Sequence, residues 1–528
     1  MKRITLPLAI FLFFTSAYLV TFRGHYGSDQ FMSYLTAESL VLDHSIAICV
    51  RNFNIADIQS NIERAPTGID GRRYTLFSLV LPLAMIPLYL MGHLAGGLLP
   101  PNLHDYITMF FVSMTNVFIT ALTCTLLFRY LARLGYSSRT ALIVTLLYGF
   151  GTMAWNYSQY SFAEPLLSLW FLFSLLMLEA WERADRFSGR AAWGLGLLLG
   201  LCLLTEVYAA LIIVPAILLY IVLRLWRKRP DHRVIARTLL GLAVPLLAFV
   251  GILFWFYWLR FGGLAAPRLS GHLSLAFIPV SLYGFTLSAG KSFFLFVPPA
   301  LLALYGVKSF YRRKRDLTIM LAGIAVISVL FISTYVEGWH GDYAWGPRYL
   351  FHLILMAMLP LAEVFERKLF ATTWKHRAMT FLIMVSIIIQ TGGILINTGN
   401  YIRFVESLQL GDRHFVPYLS AVPGHWFLVT TTVYRGLTGK TLTLSYPTGD
   451  GNPSWRPVDT TGFDGFDLWF VHLPQYWHSP YAVWIALIST LILVIAAGVF
   501  FRYIWRATAQ PDHSTCCINF DHGRGKCI

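Results

Sequence analysis

Long apolar runs separated by short polar connections dominate this chain. Most of the runs approach the roughly 20 residues that an α-helix needs to cross the hydrocarbon core of a bilayer. They lie near residues 4–22, 75–97, 106–128, 139–156, 160–181, 191–224 (long enough for two crossings), 237–258, 293–310, 317–335, 349–366, 378–397 and 481–503. The pattern predicts an all-α polytopic membrane protein, a bundle of about 12–13 transmembrane helices with loops on the outer face.

Composition agrees with this class. The 528 residues are 56% hydrophobic and 13% charged, with a mean hydropathy of +0.60, whereas soluble domains carry roughly 25% charged residues. The net charge of +15 comes from Lys and Arg in short loops between apolar runs, as cytoplasmic loops facing anionic headgroups require. We therefore expect membrane lipids, and not nucleic acid, as partners.

Two further features of the sequence leave the predicted fold unchanged. The six cysteines, at 49, 124, 202, 516, 517 and 527, show no disulfide framework. The first apolar run follows Lys2 and Arg3, so it reads as a signal peptide or as a first anchor, and both give the same topology afterwards.

The basic residues between the runs predict the orientation. They collect in six connections: Arg129, Arg133 and Arg139; Arg183, Arg186 and Arg190; Arg227, Lys228, Arg229 and Arg233; Arg312, Arg313, Lys314 and Arg315; Arg367, Lys368, Lys375 and Arg377; Arg502 and Arg506. All six are cytoplasmic, together with Lys2 and Arg3, only if 75–97 does not cross the membrane. Pro82 and Pro87 interrupt that segment, as expected of a re-entrant or juxtamembrane helix pair. The alternative is that 75–97 spans and the N-terminus lies outside.

The favoured topology places connections 23–103, 259–292, 336–348 and 398–480 on the outer face. We expect the first three to belong to a transmembrane core, 1–397. Residues 398–480 would form an outer loop or small lobe, with turn signals at Gly411-Asp412 and Asp450-Gly451 and a β-like run near 441–446. Residues 481–528 would form the last transmembrane helix and a cytoplasmic tail.

The string GWHGDYAWGPRY, residues 338–349, carries the strongest candidate chemistry. Charges this close to hydrocarbon are costly, so Asp342 and Arg348 are functional candidates. A guanidinium offers a fork of donors suited to phosphate, while Trp339 and Trp345 could anchor an interface or stack on a sugar. These residues define the first candidate site.

Other basic residues on the predicted outer face break the charge pattern. Arg72 and Arg73 in GRRY, Lys291 and Arg348 could converge on one anionic group through charge-assisted hydrogen bonds. Singly, each could instead be a snorkelling anchor at the interface.

Two acids are candidates for proton transfer. Asp29 follows the first apolar run within GSDQ, where it could act chemically or serve as a helix N-cap. Glu164 closes YSQYSFAE, residues 157–164, ahead of Pro165, an arrangement also common in the first turn of a helix. Position alone does not choose between these functions.

Two motifs are rejected. GFTLSAGKS, residues 284–292, has five residues between its glycines where a phosphate-binding loop needs four, and it lies outside in the favoured topology. The tail residues HSTCC, 513–517, with His522 and Cys527, fit no specific metal spacing.

The acidic first loop, GRRY with the proline-interrupted segment, YSQYSFAE and the WGPR loop occur in an order that resembles the glycosyltransferase C superfamily. The chain looks like its bacterial polyprenyl-phosphate-sugar-dependent members, which are related to the aminoarabinose and protein O-mannosyl transferases. The resemblance implies Asp29 and Glu164 as catalytic acids and Arg72, Arg73, Lys291 and Arg348 as donor-phosphate ligands. Trp339, Asp342 and Trp345 would then bind substrate.

The implied reaction transfers a sugar from a polyprenyl-phosphate-sugar donor to a glycan or lipid acceptor on the outer face of the bacterial cytoplasmic membrane. The resemblance assigns no definite cofactor, and a divalent metal is left as an alternative. Gln30 stands where some members carry a second acid, which argues against a paired-carboxylate or metal-binding version. The competing class is a transporter or flippase for a lipid-linked sugar. Transporters often contain repeated halves, and the sequence shows none.

Overall fold

The computed structural model describes residues 4–24, 28–49, 65–184, 189–264, 273–408, 412–447, 453–457 and 462–509. At residues 28–30, 102, 444–447 and 453–457 it describes the backbone alone. The tail cysteines and histidines, Gly411 and the Asp450-Gly451 turn lie outside these residues.

Helices make up nearly all of the described chain. The α-helices are Leu6–Val20, Ser28–Leu42, Val80–Gly96, Pro101–Ser113, Thr115–Arg133, Ser138–Phe150, Met153–Tyr157, Glu164–Ala184, Gly189–Thr205, Val207–Lys228, His232–Phe261, Ile278–Thr286, Phe293–Phe296, Pro299–Arg313, Arg315–Ser333, His352–Glu366, Thr373–Leu395, Thr398–Leu408, Ala421–Thr438, Trp469–Trp477 and Pro480–Ala509. Short 3₁₀ turns occur at Leu275–Phe277, Arg348–Leu350, Pro417–Leu419 and Gly462–Gly465.

Among the described residues one antiparallel pair of strands occurs, Thr443–Pro447 with Pro453–Pro457, in which Thr443 lies opposite Pro457 and Pro447 opposite Pro453. It lies where the sequence predicted strands. Apart from it, the described part of 398–480 is mainly helical. We call this region the 398–480 lobe.

Seven described helices are long and apolar enough to cross a membrane: Leu103–Arg133, Glu164–Ala184, Val207–Lys228, His232–Phe261, Arg315–Ser333, Thr373–Leu395 and Pro480–Ala509. Others, such as Leu6–Val20 and Ser138–Phe150, are apolar but shorter. The predicted all-α polytopic class is confirmed. The exact number of crossings stays a prediction.

The core of the bundle forms around its first helix. Leu6–Val20 packs against Thr115–Arg133 and Pro480–Ala509. Phe14 stacks on Phe150, with ring centroids 5.3 Å apart, and the Tyr18 hydroxyl donates to the Gly149 carbonyl at 3.1 Å. Aromatic packing of this kind fixes the first helix, whose last turn leads directly to the candidate site.

The bundle has two distinct ends. At the first, the Asn116 side chain donates to the carbonyl of Phe162 at 2.8 Å, just before the helix that begins at Glu164. Arg348 lies at this end, which we call the Arg348 end. At the other, Arg313 donates to the carbonyls of Leu134 and Gly135, both at 2.9 Å. We call this the Arg313 end; the connections that the sequence predicts to be cytoplasmic meet there.

The helix Val80–Gly96 bears on the predicted topology. It has 17 residues and an internal proline, Pro87, so it is roughly 26 Å long, short of the ~30 Å hydrocarbon core. It packs along Pro101–Ser113, with Gly92 against Thr108 and Phe111. That neighbour directly precedes the helix Thr115–Arg133, which carries Asn116 near its start. The packing agrees with a segment that does not cross, which stays a prediction.

Candidate active site

Arg348 lies at the junction between the 338–347 loop and the helix His352–Glu366. The residue is only 9% exposed. Its Nε lies 3.8 Å from Glu164 Oε1, its Nη2 donates to the Tyr349 hydroxyl at 3.2 Å, and its guanidinium lies 5.5 Å from the centre of the Phe162 ring. A buried cation is therefore held by an acid, a phenol and an aromatic face.

The loop reaches this position through glycine. Gly341 has a φ of +65°, and a side chain there would meet Arg348 Cγ at 2.7 Å. Only glycine combines this left-handed backbone with so close an approach at little cost. The local sequence HGDYAWGPR thus fixes where the guanidinium lies.

Glu164 is the first residue of the helix Glu164–Ala184 and is buried. A carboxylate at a helix N-terminus is stabilised by the helix dipole. Glu164 therefore has the structural role that its position in the first turn of a helix predicts. Its ion pair with Arg348 adds a second role. The two motifs that the sequence singled out, YSQYSFAE and WGPR, therefore meet at one point.

Arg348 keeps its charge in this setting. Burial lowers the pKa of the guanidinium, but the Tyr349 phenol and the Glu164 carboxylate outweigh that effect, and the pKa of Arg348 is raised above its ordinary value. The group is a permanent cation that can meet an anionic ligand.

Lys291 holds the 338–347 loop through hydrogen bonds to its backbone. Its Nζ donates to the carbonyl oxygens of Asp342, Ala344 and Gly346 at 2.6, 2.8 and 3.2 Å. Burial lowers the pKa of the Lys291 ammonium, and the nearby charges of Arg413 and Arg348 lower it further. The structure thus brings Lys291 next to Arg348, but its three donor hydrogens are directed at backbone carbonyls.

The two tryptophans of the loop are packed inside the protein, each 3% exposed. Trp339 lies edge-on to Phe285 and against Gly284, where a side chain would collide with the indole at 2.1 Å. Trp345 donates from Nε1 to Gln390 Oε1 at 3.0 Å and packs edge-on to Phe296. In this structure both rings hold the loop in place, and neither presents an open face to a sugar.

Asp342 lies on the exposed side of the loop. Its Oδ1 accepts from Arg413 Nη2 at 2.7 Å, and the Arg413 guanidinium lies 3.5 Å from the centre of the Tyr343 ring. Sequence reasoning did not single out Arg413, although it is another basic residue in a predicted outer connection. It adds a third cation near the loop.

Two histidines complete the loop surface. The rings of His340 and His414 stack with centroids 4.0 Å apart. Burial and the charge of Lys291 lower the pKa of His340 to about 4, and the same causes lower the pKa of His414. Both rings are neutral at physiological pH.

Arg72 and Arg73 belong to a different part of this end. Arg72 is exposed, with Nε 3.9 Å from Asp70 Oδ2. The Arg73 carbonyl accepts from the Ile48 amide at 2.8 Å. The neighbouring Ile69 amide donates to the Leu259 carbonyl at the end of His232–Phe261, so this segment packs on that helix.

Asp29 occupies the second position of the helix Ser28–Leu42. Its backbone alone is described, so its role stays a prediction. Later in this helix, Glu38 accepts from the hydroxyls of Tyr34 and Tyr89 at 3.5 and 3.3 Å. These contacts join the helix to Val80–Gly96.

The sequence missed one buried ion pair at the Arg348 end. Arg23 Nη1 lies 3.0 Å from Asp467 Oδ2, and Arg23 also donates to the Tyr160 hydroxyl and the Gly393 carbonyl. A basic residue directly after the first apolar run was an available signal. Its partner, far away along the chain, carried no signal at all.

No group of three or more His, Cys, Asp or Glu side chains that could hold a metal ion occurs within the described ranges. The site as described consists of cations, single acids and aromatic rings.

One known protein family matches part of the chain. The model of the dolichyl-phosphate-mannose-protein mannosyltransferase family matches residues 97–266. This segment is similar to that family of mannosyltransferases. The match confirms the resemblance to the glycosyltransferase C superfamily and includes Glu164, whereas Asp29 and Arg348 lie outside it.

The other comparisons add little. No curated protein matches the chain. Among solved structures, the crystal structure of ArnT from Cupriavidus metallidurans bound to undecaprenyl phosphate is similar, with a TM-score of 0.43 and 13% sequence identity. The likeness covers 96% of this chain and 77% of that one. At that level it supports no inference about individual residues.

Proposed function

We propose that this protein is a membrane glycosyltransferase that moves a sugar from a polyprenyl-phosphate donor to a glycan or lipid acceptor. One observation supports this most directly. Arg348 is a buried cation at the end of an apolar bundle, and it is paired with Glu164 inside the segment that resembles mannosyltransferases. A polyprenyl phosphate would place its anion at that level while its tail stays in lipid.

The cations around the loop suit a phosphate leaving group. Arg348 would bind the phosphate oxygens through its guanidinium fork. Lys291 and Arg413 contribute positive charge, while Lys291 also holds the carbonyls behind the loop. Donors fixed in advance stabilise charge that develops on the departing phosphate without reorganisation during the reaction.

The acids have different tasks in this proposal. An acceptor hydroxyl oxygen attacks the anomeric carbon as the bond from that carbon to the phosphate oxygen breaks. The hydroxyl proton passes to the Asp29 carboxylate, and the electron pair of the broken bond leaves with the polyprenyl phosphate. Glu164 positions Arg348 through their ion pair.

The orientation follows from the basic connections that meet at the Arg313 end. If that end is cytoplasmic, the Arg348 end lies on the outer face of the bacterial inner membrane. Single cysteines at positions 97 and 435, in a Cys49→Ser background, should both react with an impermeant thiol reagent applied from outside. Labelling of a cysteine at 308, and not of these two, would reverse the orientation.

Reconstituted vesicles test the reaction itself. Purified protein in proteoliposomes is given polyprenyl phosphates carrying radiolabelled hexoses or pentoses, with membrane glycolipid extract as acceptor. We expect free polyprenyl phosphate to appear and label to move to the acceptor. Movement of the intact donor across the bilayer without consumption would instead identify a transporter and overturn the proposal.

A further inference from the structure

A polar cavity lies in the 398–480 lobe, next to the Arg23–Asp467 pair. Its volume is about 130 Å³, well above the ~10–15 Å³ that one water molecule needs. The start of Thr398–Leu408, the helix Ala421–Thr438 and the chain around Asp467 form its walls. Its polar lining includes Asn397, Asn400, Arg403, Thr432, Asp464 and His472.

The charges of this cavity balance. Asp467 Oδ2 lies 3.0 Å from Arg23 Nη1, and Asp467 Oδ1 lies within hydrogen-bond distance of His472 Nε2, at 3.0 Å. The lining also holds one acid, Asp464, and one basic residue, Arg403, whose charges cancel. A lining without net charge gives little reason to bind an ion of either sign.

The same lining is rich in hydrogen-bonding groups. Asn400 Oδ1 accepts from Arg403 Nη2 at 2.6 Å. The Asn400 side-chain NH₂ group can therefore donate hydrogen bonds to a ligand. Thr432 and His472 add groups that can donate or accept. A neutral molecule with several hydroxyls fits this mixture, because each hydroxyl both donates and accepts.

The cavity is connected to Arg348 by direct contacts. The Tyr160 hydroxyl bonds to Thr398 Oγ1 at 2.5 Å, at the start of the helix that lines the cavity. The Tyr160 ring packs on Phe162 at 5.6 Å, and Phe162 lies beneath the Arg348 guanidinium. The cavity and the candidate active site therefore lie at the same end of the bundle, linked by this chain of contacts.

We propose that this cavity binds a neutral sugar unit of the acceptor. The proposal rests on the proposed function and specifies it: the acceptor is a saccharide, held by the lobe 398–480 while its reacting hydroxyl lies near Arg348. A sugar bound here would be positioned by the Asn400 amide, Thr432 and the Asp467–His472 pair.

Saturation-transfer NMR tests the cavity without knowledge of the natural acceptor. The purified full-length protein in lipid nanodiscs is mixed in turn with glucose, mannose, galactose and N-acetylglucosamine. We expect saturation transfer to at least one of these sugars. In Asn400→Leu, which removes the amide and fills the cavity, affinity should fall about tenfold, the loss expected from one or two hydrogen bonds.

Two further variants control the experiment. Lys440→Ala changes an exposed residue of the same lobe outside the cavity and should leave binding unchanged. Thr432→Val keeps the shape of a buried side chain and removes its hydroxyl, so it should weaken binding even if Asn400→Leu fails to fold.

The outcomes are distinct. No saturation transfer from the wild-type protein to any of the four sugars, or equal transfer in wild type, Asn400→Leu and Thr432→Val, would overturn the assignment. Donor consumption is measured on the same samples. Wild-type protein that binds sugar but consumes no donor would count against the proposed function alone. Wild-type protein that consumes donor but binds none of the sugars would count against the sugar-binding cavity alone.

Discussion

The two ends of the bundle use the same residue types in opposite ways. At the Arg348 end, two ion pairs are buried on both sides: the side chains of Arg348 and Glu164 are 10% and 8% exposed, and those of Arg23 and Asp467 are 1% and 0% exposed. At the Arg313 end, the arginines reach solvent: Arg367, paired with Glu363, is 53% exposed, and Arg227, paired with Asp316, is 56% exposed.

This difference separates anchoring from function. Exposed pairs are worth little individually, and their arginines satisfy the charge asymmetry of a membrane protein. Buried pairs cost desolvation energy that their attraction repays only partly. A chain that keeps two of them at one end has a use for cations there, and binding of an anionic group is the use we propose.

The largest effect that we expect comes from an acid at the Arg348 end. In Asp29→Asn, turnover should fall by roughly two to four orders of magnitude, because the amide cannot take the acceptor proton. Turnover and donor binding are measured on the same purified protein. Asparagine also caps helices well, so retained turnover would mean that Asp29 is a cap and not the base.

Glu363→Gln is the matched control for that variant. Glu363 is a buried acid at the Arg313 end that accepts from the Tyr136 hydroxyl at 2.9 Å. Its loss should lower stability but leave the turnover per folded molecule unchanged. Equal losses of turnover in Asp29→Asn and Glu363→Gln would contradict the proposal that only the Arg348 end takes part in the reaction.

A smaller effect is expected from the geometry of Arg348. Arg348→Lys keeps the charge but loses the guanidinium fork, so turnover should fall about 10- to 100-fold. Arg367→Lys makes the same change at an exposed pair and should leave turnover near wild type. If Arg348→Lys has wild-type kinetics at normal protein level, Arg348 is an interfacial anchor.

Lys291 should act mainly on stability. Lys291→Met removes three hydrogen bonds to the carbonyls of residues 342, 344 and 346, with a loss on the order of 2 kcal/mol in unfolding free energy. Denaturation monitored by tryptophan fluorescence measures it, with exposed Lys308→Met as control. An unchanged stability together with lost donor binding would show that Lys291 contacts the phosphate directly.

The smallest effect concerns pH. The pKa of His340 is lowered to about 4, while an unfolded histidine titrates near 6.5. Between these values the unfolded chain binds more protons than the folded one, so stability falls as pH falls from about 6.5 to 4. Removing this contribution in His340→Phe should reduce the drop in melting temperature between pH 7 and 5 by roughly 1–3 °C.

His376→Phe, at an exposed position in Thr373–Leu395, is the control for the pH experiment. It should leave the pH dependence as it is in wild type. A pH dependence of His340→Phe equal to that of wild type would exclude His340 as its source.

Part of the candidate site could be predicted from sequence. Arg348 and Glu164 stood out because each charge adjoins an apolar run, and the structure brings them together. The predicted convergence of four basic residues is only partly seen: Lys291 lies beside Arg348, whereas Arg72 pairs with Asp70 on the outside of GRRY. Proximity of segments that are distant in sequence was not visible in the pattern.

The tryptophans show why local chemistry was insufficient. Trp339 and Trp345 were predicted to face an interface or a sugar, because amphipathic rings in a loop commonly do so. Their surroundings come from elsewhere in the chain: Gly284 and Phe285 for one, Gln390 and Phe296 for the other. Those contacts bury both rings.

Sequence by itself determined that this chain lies in a membrane and is helical. The cost of transferring each residue into hydrocarbon depends on that residue, and the backbone must bond within its own segment there, so a local pattern suffices. Tertiary structure alone decided which charges are buried and with which partner. Arg23 and Asp467 come from opposite ends of the chain, and the desolvation that makes such a pair informative exists only once the bundle and the lobe have packed around it.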